Sequence, residues 1–123
     1  MAKKILIADD EPNIVISLEF LLRREGFDVT VAGNGVDALA AAREWRPDLA
    51  ILDVMMPQRN GFEVCQELRN DPDLRGLRII MLTAKGRDME VAKGLALGAD
   101  HYMTKPFATR ELVARVKDLL GDT

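Results

Sequence analysis

"KKILIADDEP", residues 3–12, joins a short apolar run to three consecutive acids and a proline. Ile5, Leu6, Ile7 and Ala8 are apolar without alternation, which suits a parallel strand covered on both faces rather than one with a wet side. Asp9, Asp10 and Glu11 then stand at the mouth of that strand, where like charges repel and desolvation is costly. Pro12 follows where a helix can begin, because the first turn does not need its missing N–H. The stretch reads as strand, acidic turn, helix.

The same order recurs outward along the chain. Strands are predicted over residues 4–8, 27–32, 49–52, 78–82 and, more briefly, 101–103. The first, third and fourth are near-continuous apolar runs. Between them the apolar period changes to that of helices. The first helix carries Ile14, Leu18, Leu21 and Leu22 on one face, with Gly26 suited to the position just past its end. Asn34 fits the N-cap of a second helix carrying Leu39, Ala42 and Trp45, which must stop before Pro47. A third carries Phe62, Val64, Cys65 and Leu68 and breaks at "NDPD". A fourth spans about 88–97 and ends at Gly98. A fifth begins near Thr109, carries Leu112, Val116, Leu119 and Leu120, and ends near Gly121. With no internal repeat, linker or low-complexity segment, residues 1–123 are expected to form a single domain. Five successive strand–helix units require crossover connections, and these give an α/β fold with a parallel sheet and helices on both faces.

The 123 residues are enough to bury a sizeable core, and 48% apolar with 30% charged is the balance of a globular chain. A formal net charge of −3 argues against direct nucleic-acid binding. No apolar run approaches the roughly 20 residues that cross a bilayer, and the apolar stretch after Lys3 and Lys4 is too short for a signal peptide. Cys65 is alone, so a reducing cytoplasm is expected. One histidine and one cysteine exclude the usual zinc ligand sets. Cys65 reads as a core filler, Trp45 as packing at a helix end, and Gly61 as a turn residue.

Ligands of open parallel sheets bind outside the carboxyl ends of the strands. Asp9 and Asp10 follow the first strand, Asp53 the third, Thr83 the fourth and Lys105 the fifth. Each has a plainer reading when taken singly. Asp10 and Glu11 could serve a helix macrodipole, Asp53 could be a solvated strand-end acid, and Lys105 an ordinary loop lysine. Their coincidence at one edge favours a hard divalent cation, with Mg²⁺ held by carboxylates and completed by water and phosphate oxygens. Lys105, a compact point charge, would meet a phosphoryl oxygen or the third carboxylate.

"ILIADDEP", "LAILDVMMP", "IIMLTAKG" and "GADHYMTKPF", in this order and spacing, resemble the successive motifs of response-regulator receiver domains over essentially the whole chain. The resemblance implies a flavodoxin-like (βα)5 fold with strand order 2-1-3-4-5. It implies that Asp53 is a phosphoacceptor served by a sensor histidine kinase or phosphotransfer protein. Asp10, Asp53 and the Met55 backbone carbonyl would coordinate Mg²⁺, with Asp9 acting through water. Thr83 and Lys105 would contact phosphoryl oxygens, Tyr102 would be an aromatic switch, and the Lys105–Pro106 bond would be cis. Such a protein catalyses only its own phosphorylation and dephosphorylation. It signals by remodelling the face of its fourth helix, fifth strand and fifth helix toward a downstream protein or output domain.

Two positions tune phosphoryl lifetime in the family, and here they hold Met55 and Lys85. The last third also resembles receivers of winged-helix DNA-binding regulators, which dimerise through charge pairs. Lys93, Asp100, Glu111 and Arg115 match that pattern, whereas His101 departs from it, and it lies in a strand rather than on the exposed helix of a phosphotransfer histidine. Two other classes compete. A flavodoxin-type redox carrier needs a phosphate-cradling loop where this chain has Asp-Asp-Glu. A metal-dependent phosphatase needs a substrate-binding cap or insertion, and no obvious one is present.

Overall fold

Each apolar run forms a strand because its two rows of side chains have separate cores to enter. In the computed structural model, which describes residues 2–74, 76–84 and 97–121, the strands are β1 (Lys4–Ala8), β2 (Asp28–Ala32), β3 (Leu49–Asp53), β4 (Arg78–Ala84) and β5 (His101–Lys105). They pair in parallel in the order β2-β1-β3-β4-β5. Leu6, Ala8, Ala50, Leu52, Ile79 and Met81 enter one core, together with α2 (Gly35–Trp45) and α3 (Gly61–Asn70). Ile5, Ile7, Leu49, Ile51, Ile80 and Leu82 enter the other, against α1 (Pro12–Arg24) and α4 (Thr109–Leu120). Alternate residues of one strand thus face opposite helix layers, so none of these positions can be polar. This is the flavodoxin-like arrangement, with helices on both faces.

The helix expected over 88–97 falls, apart from Leu97, in residues 85–96, which lie outside the described residues. The other helices start and stop for local reasons. Pro12 opens α1, and Gly26 closes it with φ 95°. Gly26 N donates to Arg23 O, and Phe27 N donates to Leu22 O, which satisfies the last carbonyls of the helix. Phe27 is thereby used as a cap, and β2 begins one residue later than its apolar pattern suggests. Asn34 caps α2 by accepting from Asp37 N. Asn60 and Glu63 form a reciprocal capping box at the start of α3.

Three strands run beyond their apolar stretches. β3 includes Asp53, β4 includes Thr83 and Ala84, and β5 includes Thr104 and Lys105. Thr83 pairs with Thr104 and Ala84 with Lys105, so backbone pairing continues where apolar character has stopped. Thr83 and Lys105 therefore lie within the ends of strands rather than after them.

Two glycines fix the loop that leaves β3. A Cβ on Gly61 would lie 2.5 Å from the Asp53 carbonyl oxygen, and one on Gly35 would lie 2.0 Å from that of Arg59. Gly61 N also donates to Val54 O at 3.0 Å, and Gly35 N to Pro57 O at 3.3 Å. The helix starts are pressed against the loop backbone without room for a methyl group. Gly61→Ala should destabilise the fold by about 1–3 kcal/mol in urea unfolding. Gly33→Ala, where a Cβ meets nothing within 4 Å, should stay within about 0.5 kcal/mol of the parent.

Candidate functional site

Strand register assembles the polar edge. Ala8 stands opposite Leu52, so Asp9 and Asp53 leave the sheet at the same level on neighbouring strands. Asp53 stands opposite Leu82, which places Thr83 one residue further along β4. β1 and β3 are also where the chain reverses its direction of travel across the sheet, the point at which such folds open a crevice.

Asp9 and Asp53 are 2% and 4% exposed, while Asp10 is exposed. Carboxylate oxygens of all three lie within 4.8 Å of one another. Lys105 Nζ stands 3.1 Å from Asp9 Oδ2, 3.4 Å from Asp53 Oδ2 and 2.8 Å from Glu11 Oε1. Glu11 N donates to Asp9 Oδ1 at 2.9 Å, and Met55 N to Asp53 Oδ1 at 3.3 Å. The Lys105–Pro106 bond is cis. Thr83 is buried beside this edge, and the Met55 side chain is 65% exposed at its rim.

Burial, reinforced by the charge of Asp9, pushes the Asp53 carboxyl from 3.8 up to about 7, although Lys105 and the Met55 N–H pull the other way. Burial also works against the charge of Lys105, but hydrogen bonds to Glu11 and Asp9 and the charges of Asp53 and Asp9 outweigh it and raise its pKa. The ammonium is therefore held protonated while one carboxyl beside it resists ionisation.

A divalent cation fits this donor set. Asp9 Oδ2 is buried, and the Lys105 ammonium 3.1 Å away leaves it lone-pair capacity for a metal. Ligand oxygens about 2.1 Å from Mg²⁺ lie about 3–4 Å apart in an octahedron, so oxygens within 4.8 Å need to close only slightly. All-oxygen donors are also the right chemistry for so hard an ion.

Asp9, Asp10, Asp53, Thr83 and Lys105 all reach this edge. Tyr102 is half-buried against the α2–α3 core, and its phenol oxygen is shielded from solvent. Lys85 and Lys93 lie outside the described residues. Asp100 is engaged within the chain. It accepts from Arg69 Nη2 at 2.7 Å and Ile79 N at 2.8 Å, and pairs with Arg78 at 3.4 Å. Arg115 lies 3.5 Å from Asp118 on its own helix, and Glu111 is exposed. His101 sits in β5, where burial and then Arg115 lower its pKa against the pull of Glu111. Cys65 is fully buried, which raises its thiol pKa.

Two residues have partners that the sequence does not show. Arg69 donates to Gly98 O at 2.8 Å, to Leu77 O and to Asp100, and nothing in its local pattern points to partners about 30 residues away. Glu11 reads in the sequence as the third acid at the strand mouth, with a helix-dipole role as its plainer reading. It is the N-cap of α1 but makes no side-chain cap bond, because its carboxylate is on Lys105.

The family model for the response regulator receiver domain matches residues 5–117. The chain belongs to the response regulator receiver domains. A Chloroflexus aurantiacus protein described as a response regulator is 37% identical, covering 98% of this chain and 99% of that one, with a TM-score of 0.93. The signal receiver domain of a signal transduction histidine kinase from Syntrophus aciditrophicus is also 37% identical, covering 98% and 91%, with a TM-score of 0.90. Vibrio cholerae chemotaxis protein CheY4 is 31% identical over 97% and 99%, again at 0.90. This receiver is thus a CheY-like module of two-component signalling, and among its described residues no helix is long and apolar enough to cross a membrane.

The Asp53 pKa has a measurable consequence for this receiver. Between pH 3.8 and about 7 the folded chain keeps a proton that the unfolded chain has released, so stability falls as pH rises through that window. Without divalent cations, unfolding free energy from pH 4 to 7.5 should fall by roughly 2–4 kcal/mol more in the parent than in Asp53→Asn. Urea unfolding of both proteins across that range measures it.

Proposed function

We propose that residues 1–123 act as one cytoplasmic receiver whose Asp53 takes a phosphoryl group from the phosphohistidine of a sensor kinase or phosphotransfer protein. The observation that carries this reading is the buried Asp53 carboxylate with the Lys105 ammonium 3.4 Å away, at the crevice between β1 and β3. An Asp53 oxygen attacks phosphorus, the P–N bond breaks, and its electron pair leaves with the imidazole, which takes up a proton. Phosphoryl transfer of this kind needs alignment and positive charge more than proton chemistry. Lys105 supplies a fixed cation to the phosphoryl oxygens, and Thr83 supplies a hydroxyl donor from the end of β4. Mg²⁺, held by Asp10, Asp53, the Met55 carbonyl and, through water, Asp9, would neutralise the acids and the transferring oxygens.

The acyl phosphate adds about −1.5 to −2 charge at Asp53. Movement of Thr83 toward it changes the room available to Tyr102, whose ring packs on the adjacent core. The surface of β5 and α4 then presents a different face to a partner protein or output domain. That a related receiver is described as the signal receiver domain of a histidine kinase supports the kinase as donor.

Incubation with acetyl phosphate and Mg²⁺ should add one phosphate by mass, absent in Asp53→Asn and without Mg²⁺. No adduct on the parent protein would refute the phosphoacceptor role. The exposed Met55 side chain has no group to orient an attacking water. Met55→Asn should therefore shorten the lifetime of the adduct several-fold in a decay time course, and an unchanged lifetime counts against water positioning there.

A further inference from the structure

The shortest of the contacts that Lys105 Nζ makes with the acids is to Glu11, at 2.8 Å, against 3.1 Å to Asp9 and 3.4 Å to Asp53. Asp9 and Asp53 are buried, but the Glu11 side chain is 56% exposed and that of Lys105 is 14% exposed. Of the three acids on Lys105, Glu11 is therefore the outermost, drawing the ammonium toward the rim. Its backbone is fixed on both sides: Glu11 N donates to Asp9 Oδ1, and Glu11 O accepts from Val15 N at 3.1 Å in the first turn of α1. A carboxylate on so firm a base reaches a defined place, and it makes no side-chain cap bond to α1.

From this geometry we infer that Glu11 is a positioning residue that clasps Lys105, so that an anion arriving at Asp53 gains the ammonium only by displacing the Glu11 carboxylate. The inference rests on the phosphoacceptor reading above. Binding of a phosphoryl donor becomes an exchange of one anionic partner for another rather than the gain of a new ion pair. The clasp thus weakens donor binding while leaving the reacting atoms untouched. Removing it should act on donor affinity, and its size should be that of a largely exposed ion pair, about two- to fivefold.

Two measurements on Glu11→Gln and Glu11→Ala test it. In acetyl phosphate kinetics with saturating Mg²⁺, the KM should fall about two- to fivefold while the maximal rate changes less than twofold. An unchanged or raised KM overturns the clasp. A residue of purely structural importance would alter unfolding midpoints without this split, so circular dichroism melts accompany the kinetics. The second measurement needs no phosphoryl transfer. In isotope-edited NMR of the unphosphorylated protein, the Lys105 side-chain ammonium signal should shift, and its protons should exchange faster, in both variants. A Lys105 signal indifferent to Glu11 overturns the clasp by itself. If the parent takes up no phosphate while Lys105 still responds to Glu11, the contact stands and the phosphoacceptor reading fails instead.

Discussion

Lys105 stands between Asp9 and Asp53 at the carboxyl edge of the sheet, and the existence of that edge as folded structure depends on it. Two carboxylates within 4.8 Å repel by on the order of 3–4 kcal/mol at the effective dielectric of a partly buried site. That is a large share of the stability of an ordinary domain. A single ammonium against both converts the repulsion into attraction, and a proton retained on Asp53 near neutral pH removes most of the remainder. The site is nevertheless left rich in oxygen donors and short of positive charge, which is the condition under which a hard cation is welcome.

The sheet delivers these groups without any loop having to be long. Parallel register alone places Asp9 beside Asp53, and Thr83 and Lys105 at successive rungs of the next two strands. The loop after Asp53 is held by backbone contact at Gly35 and Gly61, so the Met55 peptide that bonds Asp53 has little freedom to drift. Rigid framing and shared charge are therefore two aspects of one arrangement.

Much of this was legible in the residues themselves. Ile5–Ala8 and its counterparts could only be strands covered on both faces, and the polar residues at their ends could only collect at one edge. Apolar character stops short of Thr83 and Lys105, whereas the ladder there is carried by backbone pairing. Phe27 looked like strand by its side chain but spends its N–H on closing α1. The partners of Glu11 and of Asp100 were not readable. A glutamate beside a helix start has an adequate local explanation, and only the fold shows that its carboxylate goes to Lys105. Asp100 matched a pattern of surface charges, yet its carboxylate is taken by Arg69, Arg78 and the Ile79 N–H. Long-range side-chain pairing leaves no periodic trace.

The contact between Glu11 and Lys105 spans 94 positions of the chain. β1 and β5 are not neighbours, so the two residues meet across the ends of the strands that lie between them. A sheet without β5 would display the acids of β1 and β3 without their counter-ion. The charge balance of that edge is thus a property of the completed architecture.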